Sequence, residues 1–317
     1  MNRRRQKVLG DKQSSVTGNQ LVWSSSADPR FLEFTRFCQF FNDLFKTPGF
    51  LAPVECRQSH KEYVPEYYQR LFGPGVHAIT KRHLKWFHRL KLVLSLPRGS
   101  VLVDFGGGYG LDSVLLATMG YRVIFYELTN DHLAVCEFFK RCWEEAFGVV
   151  DLQMVTPEER NRRSRIQADA LLMNEVAHHI EPPSEAFSQA FTMLRPGGSL
   201  YLLEPNYMNL AVQLFFLRVR GIKTIVRQTD ARTGVEYLYG NEHIRPFSSW
   251  NRIAIENGLV PIQHHCVISA FLRGPSSLYS RWRRHAELLP VVRYALASHI
   301  TLQYVRPSVG GEESSGG

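Results

Sequence analysis

The sequence predicts an α/β protein built on a mostly parallel sheet covered by helices on both faces. Two observations carry that expectation. From residue 100 onward, short apolar strands alternate with helical stretches at the spacing of βαβ units. The first of these strands runs straight into a glycine cluster, Asp104-Phe-Gly-Gly-Gly-Tyr-Gly110. At 317 residues the chain suits one α/β core with additions.

Residues 1–30 are basic, polar and Ser-rich, and are expected to form a tail. Residues 31–99 read as a helical region. Phe31, Phe34, Phe37, Phe40, Phe41 and Phe45 recur at helical spacing, a stripe expected in the core, and a second helix is expected from His77 to Leu96. The α/β domain spans 100–306. Val101–Phe105 is its first strand and Leu111–Thr118 the helix after the glycines. Arg122–Glu127 is the second strand, followed by a helix capped by Asn130 or Asp131 and running to Phe147. Val149–Val155 and Ala168–Asn174 are the third and fourth strands, Pro183–Leu194 a helix, and Ser199–Pro205 the fifth strand. A helix at Phe247–Asn257 and strands at Pro261–Ala270 and His299–Val305 complete a Rossmann-like, seven-stranded sheet. Residues 206–242 form a lid insertion and 307–317 a flexible tail.

The composition narrows the setting. Net charge is +9, which favours anionic partners or surfaces. The five cysteines, scattered and without a CxxC pair, point to reduced thiols. No apolar run is long enough to span a bilayer and no signal peptide is evident, so a cytoplasmic protein is expected.

Gly106, Gly107, Gly108 and Gly110 suit a tight strand-to-helix turn whose backbone N–H groups approach a ligand at the carboxyl edge of the sheet. Glu127 ends the second strand, where a carboxylate can accept both hydroxyls of a ribose. A dinucleotide site competes, because Gly108-x-Gly110-x-x-Ser113 nearly satisfies G-x-G-x-x-G. Asp104 argues against it: a carboxylate before the loop suits a cofactor with a positive amino group and is misplaced beside a pyrophosphate.

These motifs resemble class I S-adenosylmethionine-dependent methyltransferases. The resemblance rests on D-x-G-x-G-x-G, the acidic end of the second strand, and Leu194-Arg-Pro-Gly-Gly-Ser-Leu-Tyr-Leu-Leu-Glu-Pro. Met173-Asn-Glu-Val-Ala-His-His, Glu242-His-Ile-Arg-Pro-Phe and Asn257-Gly-Leu are similar to the small-molecule branch that includes ubiquinone and menaquinone methyltransferases. The likeness covers about Lys81 to Arg306. It implies S-adenosyl-L-methionine as cofactor, with Asp104, Gly106 and Gly108 at its amino-acid end, Glu127 on the ribose, Leu128 over the adenine and Asn174 near the methyl group. The acid that many relatives carry after the third strand has no match in Met154–Arg160.

A sulfonium methyl is already electrophilic, so the protein mainly aligns the reactants, and a hydroxyl acceptor benefits from a base. His178, His179 and His243 are the candidate bases, and Glu204 and Asn206 candidate orienters. No metal is expected. The adjacent pairs His178–His179 and His264–His265 would point to opposite faces of an extended chain, and no ligand cluster completes a set. The lid centre, 210–227, reads as a helix buried over the pocket, or as a basic amphipathic helix lying on a membrane and admitting a lipid-linked substrate. Arg281-Trp-Arg-Arg-His is a second basic cluster, read as a solvated face. The expected activity is transfer to a small molecule, at oxygen, with a glycosylated or lipid-linked acceptor favoured. RNA methylation and a non-catalytic scaffold are the alternatives. Nucleic acid is disfavoured because Asn174-Glu-Val-Ala lacks the Pro-Pro-aromatic signature of base methyltransferases.

Overall fold

A computed structural model describes residues 29–72, 81–127, 129–156, 159, 166–229, 236–268 and 289–308. Three helices come first: α1 (Pro29–Phe45), α2 (Gln58–Phe72) and α3 (Lys81–Arg89). The second was not foreseen, because Pro65 inside it punctuates its apolar spacing. The phenylalanine stripe goes where its period directs. Phe34, Phe37, Phe41 and Phe45 are buried against Trp86, Phe139 and Trp143. Each such ring removed from water is worth roughly 1.5–3 kcal/mol, which ties the N-terminal helices to the domain.

The sheet contains β1 (Val101–Phe105), β2 (Arg122–Tyr126), β3 (Leu152–Val155), β4 (Ala168–Asn174), β5 (Leu194–Pro205), β8 (Val260–Ile268) and β9 (Ala297–Val305). Its order is β3-β2-β1-β4-β5-β9-β8. The first five are parallel neighbours, and β9 joins β5 antiparallel. The reversal of strand order between β1 and β4 opens a crevice at their carboxyl ends, where α/β proteins bind ligands. β5 starts earlier than expected because Arg306 draws the Pro-Gly-Gly turn into the sheet, with Gly197 N–H donating to Arg306 O at 2.8 Å.

Helices α4 (Leu111–Thr118) and α5 (Asn130–Phe147) cover one face; α6 (Ser184–Met193) and α8 (Phe247–Glu256) cover the other. The cap of α5 is Thr129, one residue before the expected cap, its side chain accepting from the His132 amide at 3.3 Å. A short helix, α9 (Pro290–Leu296), precedes β9.

The insertion holds α7 (Leu210–Arg220) and an antiparallel pair, β6 (Ile225–Thr229) and β7 (Glu236–Gly240). The expectation of a buried lid helix fails. No residue of α7 is buried, and Leu210, Leu214, Phe215, Leu217 and Val219 are all exposed. A helix apolar nearly all round has no polar face to turn outward, and here nothing in the described chain covers it. The 1–28 and 309–317 tails and the Arg281–His285 cluster lie outside the described residues.

Candidate active site

The glycine loop is built as its composition requires. Gly106, Gly108 and Gly110 adopt φ of 71°, 57° and 76°, a region that disfavours side chains. Gly110 also sits against Cys136, where a Cβ has no room, and Gly107 lies directly over the Asp104 carboxylate. The loop leads into α4, whose first turn carries Asp112. That carboxylate accepts from Trp86 Nε1 at 2.5 Å and from Asn174 Nδ2. Burial raises its pKa, although Arg89 opposes the shift.

Asp104 is fully buried beneath the loop. Its Oδ2 accepts from Ser113 Oγ at 2.6 Å, while its Oδ1 has no hydrogen-bond partner. Burial, with Asp112 and Glu127 adding negative charge, pushes this carboxyl up to about 7. Asn174 Oδ1 is a second buried acceptor without a partner. Glu127 accepts from the Gly108 amide at 2.8 Å and faces His132 Nδ1 at 3.5 Å. Leu128 lies outside the described residues.

A cavity of about 870 Å³ opens over this loop, lined by Gly106, Gly107, Gly108, Asp112, His132 and Asn174 on one side. Tyr63, Tyr67, Tyr68, Trp86 and Phe215 form an aromatic wall, with Lys85, Arg89 and Glu175 among them. Asp104, Glu127 and Gly110 stand one layer behind. Two buried acceptors beneath a donor-rich glycine loop fit a ligand with a cationic amino group and a ribose. Asp104 Oδ1 and Asn174 Oδ1 would accept from the amino group and Glu127 from the ribose hydroxyls, while the free loop amides would donate to a carboxylate beside that amino group.

The three expected histidines form a group of their own, away from this lining. His178 and His179 lie on a 3-10 turn, Ala177–His179, and the His243 amide donates to His178 O at 3.3 Å. His178 is buried, with Nδ1 2.5 Å from Glu204 Oε2 and Nε2 3.4 Å from Glu242 Oε2. Burial works against its charge, yet the two carboxylates outweigh it and raise the pKa to about 10. His179 donates from Nδ1 to Gly240 O at 2.9 Å, and burial, aided by the neighbouring His178, lowers its pKa. His243 is bound to Glu181, which also pairs with Arg245. Glu204 serves His178, Asn206 Nδ2 donates to Tyr294 O and Ala297 O, and neither residue is part of the cavity lining. His178 and His179 do not point to opposite faces, because a 3-10 turn, not an extended strand, puts their ring centroids 4.0 Å apart.

Sequence reasoning missed the group that does line the cavity. Glu175 has φ 58°, and its Oε1 accepts from Arg89 Nη1 and His299 Nε2, both at 2.6 Å. Burial alone would raise its pKa, but Arg89 and His299 hold it well below the usual range. Burial pushes His299 down to about 4, so its ring is neutral. The run Tyr63–Tyr68, three tyrosines in six residues, was the one visible sign of this wall.

Fold and loop together define a Rossmann-like domain with a candidate site for a nucleoside-bearing cofactor. A family model described as a methyltransferase domain matches residues 78–270. The chain belongs to this methyltransferase family. The ubiquinone biosynthesis O-methyltransferase of Paramagnetospirillum magneticum is 33% identical over 129 residues, 40% of this chain and 49% of that protein. The protein of the same name in Xanthomonas campestris pv. campestris is 25% identical over 195 residues, 62% of this chain and 72% of its own. The first of these is therefore matched over about half its length. A solved S-adenosylmethionine-dependent methyltransferase of Archaeoglobus fulgidus aligns over 77% of this chain and 99% of its own, with TM-score 0.48 and 14% identity.

Proposed function

We propose that the chain methylates a hydroxyl oxygen of a small, lipid-linked acceptor. The observation that carries this reading is the placement of Glu175, an ionised carboxylate clamped by Arg89 and His299 on the aromatic wall beside Asn174. Bound S-adenosyl-L-methionine supplies a sulfonium-activated methyl group. Glu175 would accept the hydrogen bond of the acceptor hydroxyl and aim an oxygen lone pair; as the methyl passes from sulfur to oxygen, the neutral thioether would leave and the hydroxyl proton would pass by way of Glu175 to solvent, while the tyrosines and Trp86 would hold the acceptor's apolar body. His178, His179 and His243 are left with structural roles in this reading.

The lipid-linked acceptor is supported by α7. Phe215 reaches the cavity while its apolar neighbours face outward, flanked by Arg218, Arg220, Lys223 and Arg227. An apolar helix edged with cations suits an anionic lipid surface and would put the cavity mouth against it. Among the described residues no helix is long and apolar enough to cross a membrane, so the contact proposed is peripheral. The names of the relatives support transfer to oxygen on a small molecule.

The test is transfer of labelled methyl from S-adenosylmethionine into fractions of a cell extract. Label should enter an organic-soluble product; label confined to RNA or to water-soluble metabolites would reject the acceptor class. Glu175→Gln keeps the shape but not the charge. It should lower kcat about tenfold to hundredfold, the worth of one charged hydrogen bond, with S-adenosylhomocysteine affinity unchanged.

A further inference from the structure

His178, His179 and Glu242 form a cluster that methyl transfer does not use. The 3-10 turn after β4 brings one imidazole nitrogen from each histidine and a carboxylate oxygen within 4.8 Å of one another. Both rings are held from behind. His179 Nδ1 faces a carbonyl, Gly240 O, which can only accept, so this nitrogen carries the proton and Nε2 keeps its lone pair. His178 Nδ1 faces the Glu204 carboxylate, which fixes the same tautomer whenever the ring is neutral. An imidazole whose far nitrogen donates to a carboxylate or backbone carbonyl is the arrangement found behind metal-ligating histidines.

The third ligand is also positioned on purpose. Glu242 has φ 51°, a left-handed conformation that a non-glycine residue keeps only where its surroundings impose it. Those surroundings are close. Gly240 lies too near the His178 carbonyl to bear a side chain, Tyr239 stacks on His179 at 5.1 Å, and Ile180 bridges to Tyr239. Two carboxylates, Glu204 and Glu242, converge on a single buried imidazole. One proton on His178 balances half of that charge, whereas a dication balances it fully. The ligands are imidazole and carboxylate with no thiolate, which suits zinc and its borderline neighbours.

We propose that His178 Nε2, His179 Nε2 and the Glu242 carboxylate bind a divalent metal ion of the zinc class, clamping the end of β7 to the turn after β4. None of the three residues lines the cofactor cavity, so the role is structural: the ion fixes the inner end of the insertion. A water completes the coordination on the side where Glu242 is 26% exposed. This proposal stands apart from the acceptor reading above.

The experiment uses the full chain, stripped with a chelator and titrated with zinc chloride by calorimetry. One equivalent should bind, and Glu242→Gln, a near-isosteric change that removes a direct ligand, should weaken binding by at least the roughly tenfold to hundredfold that loss of a supporting partner costs. His264→Gln, in the other adjacent histidine pair, should bind as the unaltered chain does. In parallel, zinc should slow hydrogen exchange at residues 239–243 in the unaltered chain and not in Glu242→Gln. No zinc uptake, or equal affinity in Glu242→Gln, overturns the proposal. So does an equal loss in His264→Gln, which would place the ion elsewhere.

Discussion

Replacing Asp104 by Asn should cut S-adenosylhomocysteine affinity about tenfold to hundredfold, the worth of a charge-assisted hydrogen bond at 1.4 kcal/mol per tenfold. The carboxylate is fully buried, bonded only through Oδ2, and lies under the loop that would receive the cofactor's ammonium. Asn fills the same volume, so the loop should keep its shape. A pH dependence goes with it. With the carboxyl pushed up to about 7 by burial, only the ionised form attracts a cation. Affinity should therefore rise as pH climbs toward that value, level off above it, and become flat in Asp104→Asn. The unliganded fold follows the opposite course. A carboxyl raised from 3.8 to about 7 contributes stability at low pH that is lost as pH climbs through that window. Calorimetric titrations between about pH 5 and 8 measure the first effect. An unchanged Kd in the variant would mean that the ammonium is held elsewhere.

Replacing Glu204 by Ala should destabilise the fold by roughly 3–5 kcal/mol, the cost of breaking a buried ion pair. Two partners are stranded at once, His178 Nδ1 and the Ala177 amide, which donates to Glu204 Oε1 at 2.9 Å. The pair also has a pH signature. His178 is raised from 6.5 to about 10, so its contribution is complete below 6.5 and is lost as pH rises through 10. Urea midpoints in chelator-treated buffer should fall over that window for the unaltered chain and much less for Glu204→Ala. A variant as stable as its parent would show that the pair is not formed in solution.

The sheet was legible because its strands are short apolar runs separated by helices, and each of the seven lies where that alternation places it. The glycine loop was legible for a similar reason, since positive φ and close approach leave little choice of residue. Three parts were not. The α2 helix is masked by Pro65, and α7 violates the rule that apolar residues are covered. The Glu175 side of the cavity depends on contacts between distant segments, Arg89 with Glu175 and Glu175 with His299, which no local pattern encodes. The placement of the histidines was not legible either, because residues adjacent in sequence can share a face on a 3-10 turn, and can follow β4 without lining the cavity.

The return of β9 along β5 has a consequence for the order in which the protein can be made. His299 meets Glu175 across 124 positions, and the same strand carries the carbonyl of Ala297 to which Asn206 and Asn209 are tied. A nascent chain on the ribosome can therefore complete the glycine loop long before it can brace Glu175. If Glu175 orients the acceptor as proposed, that ability is gained only when β9 has emerged.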